Sequence, residues 1–160
     1  MNEGYSCTQD DAIASGAITF LESQHQEIEQ VFERIDALDR DDVERKFALL
    51  QRAAKLILHH SQLEEAFFFP LIVSSGDPSA IEDDETHYVI KRLLSNIETG
   101  GPRHQYLQSN ITILREIVLR HFKREESLTF PNIRQKTEHR VLLGLGAKLK
   151  AEYCRLAFGS

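Results

Sequence analysis

Over four long stretches of the chain, apolar residues recur at alternating steps of three and four, the period of a helix with one buried face. From about residue 16 to 38 the stripe is Ile18, Leu21, His25, Ile28, Phe32, Ile35 and Leu38. From about 43 to 69 it is Leu50, Ala53, Ile57, His60, Glu64 and Phe67, with Leu71 beyond. A third stretch, to about Thr99, carries Ala80, Asp83, His87, Ile90, Leu94 and Ile97; a fourth, about 103 to 130, carries Leu107, Ile111, Leu114, Val118, His121, Glu125 and Leu128. Each stripe thus predicts a helix that sets polar side chains among its core positions.

The breaks between these stretches are short. Asp39 to Asp42 is a charged turn, Ser74 to Ala80 a loop whose Asp77 and Pro78 suit a helix start, and Gly100, Gly101 and Pro102 end the third helix. Short connections favour antiparallel neighbours, so the expected fold is all-α, an up-down-up-down four-helix bundle. A fifth stretch, about 137 to 157, holds Val141, Leu142, Leu145, Leu149, Tyr153 and Leu156; Gly144 and Gly146 weaken it, so packing on the bundle must hold it. The organisation expected is a flexible tail at 1–15, the bundle at 16–131 and a C-terminal helical extension at 132–160. Pro70 and Pro131 are expected to kink or end their helices.

Within the second and fourth helices one pattern occurs twice. His60 to Pro70 reads HSQLEEAFFFP and His121 to Pro131 reads HFKREESLTFP, both HxxxEExxxFP. A four-residue step on a helix places each histidine and its first glutamate on one face, about 6 Å apart along the axis. A lone histidine on an apolar stripe is commonly a hydrogen-bonded core residue, and a single HxxxE can be a surface ion pair. Two inward copies, with His25 and His87 inward on the other two helices, point instead to a metal site. Left alone in a core, Glu64 and Glu125 would each cost several kcal/mol or take up a proton. A cation removes that cost.

Six side chains crowd one ion, whereas two bridging glutamates and four histidines fill about eight of the roughly twelve positions on two octahedral ions. A bridging oxo or hydroxo group takes two more, and about two stay open for a small ligand. Imidazole with carboxylate suits iron, with manganese or zinc second. Glu65 and Glu126 point about 100° away from their neighbours, behind the site or toward solvent. Phe67, Phe68, Phe69 and Phe130 read as core packing and as a dry wall.

Composition changes this picture little. With 160 residues, 41% hydrophobic content and a net charge of −6, the chain is ordinary for one globular domain, and general nucleic-acid affinity is not expected despite a basic stretch at Arg134 to Arg155. No apolar run spans a bilayer, and the first sixteen residues lack the basic and apolar blocks of a targeting signal. Cys7 and Cys154 are too few for a disulfide framework, so a reduced, cytoplasmic protein is expected.

At the paired HxxxEExxxFP segments and the two further histidines, about Gly16 to Pro131, the chain resembles the hemerythrin-like, or HHE cation-binding, family. The resemblance implies a four-helix bundle holding a non-haem di-iron centre, with His25, His60, Glu64, His87, His121 and Glu125 as metal ligands and the two glutamates bridging. It also implies binding of oxygen, nitric oxide or peroxide. Oxygen-carrying members have a further histidine where this chain has Asp83, and aspartate where it has Glu125. The remaining four-histidine, two-glutamate set is similar to that of bacterial members implicated in nitrosative stress and iron–sulfur repair, without their cysteine-bearing domain. Asp83 is an added ligand, a hydrogen-bond acceptor behind an imidazole, or a solvated residue in the first helical turn. A sensor signalling to a protein partner through the C-terminal stretch is the alternative function; iron storage and nucleophilic hydrolysis have less to support them.

Overall fold

The structure, a computed structural model, describes residues 16–159; the expected tail at 1–15 and the expected burial of the Ala80 side chain lie outside the described residues. Helix α1 (Ala17–Asp36) turns at 37–42 into α2 (Val43–Leu63), which runs on through a π-helical turn, π1 (Glu64–Phe68), into α3 (Phe69–Ser74). After the loop at 75–78 comes α4 (Ser79–Gly100). Helix α5 (Leu107–Arg124) likewise continues through π2 (Glu125–Thr129) into α6 (Phe130–Lys136), and α7 (His139–Phe158) closes the described chain. Helix α1 packs on α2 and α5, and α4 packs on α2 and α5, the ring of an up-down-up-down bundle. Helix α7 lies outside it against α1 and α2.

Helix α4 ends at Gly101, whose φ of 70° is left-handed and suits glycine, and whose N–H bonds the Ile97 carbonyl. The next helix begins at Leu107 and not at about 103, because residues 101–106 form a turn. There Leu107 donates to the His104 carbonyl at 2.9 Å and Tyr106 donates its backbone N–H to His104 Nδ1 at 3.3 Å.

The prolines do not end their helices. Proline lacks the N–H for an i−4 bond and its ring crowds the carbonyl of that residue. Here the turn before each proline is widened to i→i+5 bonding, Phe69 N–H to Glu64 C=O and Phe130 N–H to Glu125 C=O. The widened turn spends one extra residue, so the inward register slips by one after each glutamate. Phe68 and Ile72 are fully buried where Phe67 and Leu71 were expected; Thr129 and Phe130 are buried while Leu128 is 63% exposed. Both π-turns begin at the inward glutamates, so the slip comes just after the site and leaves His60, Glu64, His121 and Glu125 in register.

Two apolar clusters sandwich that polar layer. One contains Ile28, Phe32, Leu50, Ile57, Ile90, Leu94, Ile111, Leu114, Val118 and Phe122. The other contains Leu21, Leu63, Phe68, Ile72, Phe130 and Ile133 together with Leu142, Leu149 and Tyr153 of α7. At about 1.5–3 kcal/mol per fully buried large side chain, these layers outweigh the cost of the polar groups between them. Of the residues expected in the α7 stripe, Leu142, Leu149 and Tyr153 are buried and Val141 is exposed. Cys154 on α7 is disulfide-bonded, contrary to the reduced thiols expected from sequence. Among the described residues no helix is long and apolar enough to cross a membrane.

Candidate metal centre

The six residues singled out by the stripes meet in the bundle interior. His25, His60, Glu64 and Glu125 bring ligand atoms within 4.8 Å of one another, and Glu64, His87 and His121 do the same. All six are 5% exposed or less. His25 Nε2 lies 3.2 Å from His60 Nε2 and 3.3 Å from Glu125 Oε2; His87 Nε2 lies 2.9 Å from His121 Nε2 and 3.2 Å from Glu64 Oε2. Within each motif, His60 Nε2 is 3.4 Å from Glu64 Oε1 and His121 Nε2 is 3.6 Å from Glu125 Oε1.

Three of the four imidazoles are hydrogen-bonded from behind, and the fourth faces a carboxylate. His25 Nδ1 donates to Glu126 Oε1 at 2.8 Å, His60 Nδ1 to Gln24 Oε1 at 3.0 Å and His87 Nδ1 to Glu65 Oε1 at 3.0 Å. His121 Nδ1 faces Asp83 Oδ1 at 3.7 Å, an ion-pair distance. Carboxylates and the amide oxygen only accept, so these bonds assign the proton of His25, His60 and His87 to Nδ1, and the Asp83 carboxylate facing His121 Nδ1 favours the same tautomer there, with the lone pair on Nε2. Four Nε2 lone pairs then converge with four carboxylate oxygens of Glu64 and Glu125, all four without a hydrogen-bond partner. An inward-facing set of acceptors without a donor is satisfied by cations.

The spacing fits that test. Ligand atoms about 2.1 Å from an ion and at right angles stand about 3.0 Å apart, close to the imidazole separations of 3.2 and 2.9 Å. The set contains no thiolate, and its nitrogen–oxygen mixture suits iron or manganese.

Without a cation the electrostatics are tense. Burial pulls His60 down to about 3 and His121 to about 4, so both are neutral. Burial works against His87 too, but Glu64 and Glu65 outweigh it and hold it above its ordinary value. Burial, with the charge of Glu64 beside it, drives Glu125 well up; Glu64 itself is held low against burial by His60 and His87. The two buried carboxylates are thus pushed in opposite directions, Glu64 toward its ionised form and Glu125 toward its neutral one.

Aromatic rings shape the walls. Phe122 stacks on His25 with centroids 3.8 Å apart and planes at 11°, Phe130 lies on the same imidazole at 5.7 Å, and Phe69 stacks on His87 at 5.1 Å. Phe122→Ala is expected to destabilise the protein by about 3–5 kcal/mol and to loosen His25, measured as denaturant midpoint and as weaker metal retention. Retention unchanged at a lowered midpoint would show that the ring does not orient the imidazole.

One feature escaped the pattern of the chain, whereas Asp83 already stood on the inward stripe of its helix. Gln24 is buried at 3% and holds His60, but nothing in Ser23-Gln24-His25-Gln26 distinguishes it. Asp83 is fully buried, which removes its reading as a solvated residue in the first helical turn. Burial lifts its carboxyl to about 6.

A bundle of four antiparallel helices around an inward histidine–glutamate cluster defines a metal-binding helical protein. The hemerythrin HHE cation-binding domain model matches residues 16–133, and the chain belongs to that family. Comparisons with curated proteins and with solved structures each returned no match.

Proposed function

We propose that the chain is a non-haem di-iron protein that binds or reacts with oxygen, nitric oxide or peroxide, with His25, His60, Glu64, His87, His121 and Glu125 as ligands and both glutamates bridging. The observation that carries it is the convergence of four Nε2 atoms and four unpartnered carboxylate oxygens on the bundle interior. Membership of a cation-binding family and an oxygen–nitrogen donor set support iron in that place. When bound, a ferrous pair supplies two electrons and open positions for a small oxidant.

The chain's own residues supply the rest. Glu126, Gln24, Glu65 and Asp83 hold the imidazole tautomers, and the phenylalanines keep water from the nitrogens they cover. A cleft of about 410 Å³ lined by His25, Leu119, Phe122, Lys123 and Glu126 opens onto His25 from solvent.

Anaerobic reconstitution with ferrous iron, followed by a metal count and optical spectra after separate exposure to oxygen, peroxide and nitric oxide, tests the reading. About two irons per chain and a spectral change with at least one of the three are expected. A count well below two would undo the dimetal assignment, and a loaded protein inert to all three would undo the function.

A further inference from the structure

We propose that Asp83 is a positioning residue that makes the two metal positions unequal, the one held by His87 and His121 binding its ion more tightly. The inference rests on the two-ion reading above. It comes from comparing the two halves of the site, which are related by a shift of 61 or 62 residues: His25 with His87, His60 with His121, Glu64 with Glu125 and Glu65 with Glu126. Nearly every contact recurs. His25 meets Glu126 as His87 meets Glu65, and the Nε2 pairs match within a few tenths of an ångström.

The symmetry fails behind the other two histidines. His60 Nδ1 meets the neutral amide oxygen of Gln24, whereas His121 Nδ1 faces the carboxylate of Asp83. Asp83 is 0% exposed and stands 3.7 Å from His121 Nδ1 with no hydrogen-bond partner on either oxygen, and of the charges that act on it Arg124 is the strongest. It stands on the far nitrogen of His121 from the cluster and is therefore no seventh ligand. A carboxylate behind a ligating imidazole raises the donor strength of its other nitrogen, and a neutral amide does so less.

The remaining difference runs the other way. Glu65 also bonds Lys91 at 2.5 Å, which weakens its pull on His87, while Glu126 is half-exposed and screened by water. Neither outer pair sets a buried carboxylate against a neutral amide, as Asp83 and Gln24 do. The balance therefore falls to Asp83.

Ferrous iron titrated anaerobically against a chromophoric chelator reads both binding steps. The wild type is expected to show two ions, one tighter. Asp83→Asn should weaken the tighter step by about 10- to 100-fold and leave the other unchanged. In a His60→Ala background the same substitution should weaken the remaining step by a similar factor; in a His121→Ala background it should change nothing, because the imidazole it acts through is gone. Gln24→Glu should tighten the weaker step. A wild-type count below two overturns the two-ion reading and this inference with it. A count of two with both steps shifted equally by Asp83→Asn, or with an effect persisting in His121→Ala, overturns this inference alone. Should Asp83→Asn lose its helical circular dichroism, Gln24→Glu decides, and a weaker step left where it was overturns the proposal.

Discussion

Replacing both inward glutamates, Glu64→Gln with Glu125→Gln, is expected to abolish iron retention and at the same time to raise the thermal midpoint of the metal-free protein. All four carboxylate oxygens are buried without a hydrogen-bond partner, and each unsatisfied buried group costs about 1–3 kcal/mol, more when charged. Burial and the charge of Glu64 push Glu125 well above the ordinary carboxyl value. Glutamine keeps the shape, removes both charges and offers N–H donors to a site that has only acceptors. A gain of about 2 kcal/mol is expected, or a rise of about 4–8 °C for a domain of this size. Calorimetry of metal-free wild type and variant, with metal analysis of each after reconstitution, checks both halves. If the variant still takes up two irons, the carboxylates are not ligands; if its metal-free midpoint does not rise, they are not strained in the empty bundle.

Loading the wild type should have the opposite and larger effect. An ion held at 1,000 times its dissociation constant adds about 4 kcal/mol, so two add about 8, and at about 2–4 °C per kcal/mol the midpoint rises by roughly 15–30 °C. The gain should depend on pH more steeply than the metal-free stability does. In the metal-free protein His60, near 3, and His121, near 4, bind protons less readily folded than unfolded. Their contribution is present above about pH 6.5 and is lost as pH falls toward their folded values. Asp83, raised to about 6, and Glu125, raised well above its ordinary value, work in the other direction, as does His87. They stabilise the fold where they are protonated and lose that contribution as pH rises through their folded values. The two sets oppose each other between about pH 4 and 6, which leaves a shallow curve. A loaded site has no such compensation, since every ligand holds the ion in its deprotonated form and acid competes with the ion for each of them. Scanning calorimetry of loaded and metal-free protein between pH 7.5 and 4.5 should show the gap between their midpoints closing on the acid side; a constant gap would mean that these groups do not hold the ion.

Much of this molecule is legible in one dimension. The three-and-four stripes give the four helices, and the short breaks give their antiparallel order, because a buried face and a short connection leave few other packings. The same stripes put His25, His60, Glu64, His87, His121 and Glu125 on one interior, and the structure brings all six together. Less legible is the stretch after each glutamate. An α-helical period carries Phe67, Leu71 and Leu128 inward, yet the π-turns hand those places to Phe68, Ile72 and Thr129. The sign was present in Pro70 and Pro131, read as kinks or ends of helices, where they mark a widened turn through which the helix continues.

The repeated HxxxEExxxFP motif and the inward register of its histidine and first glutamate were therefore determined by sequence alone, since helix period and residue type suffice to aim a side chain at a core. Which atom of each imidazole faces inward was decided only by tertiary structure. That choice belongs to groups distant in the chain: Glu126 behind His25, Gln24 behind His60, Glu65 behind His87 and Asp83 behind His121. Hydrogen-bond geometry between different helices has no trace in the period of any one of them. It appears only once the bundle has closed and solvent no longer competes for the nitrogens.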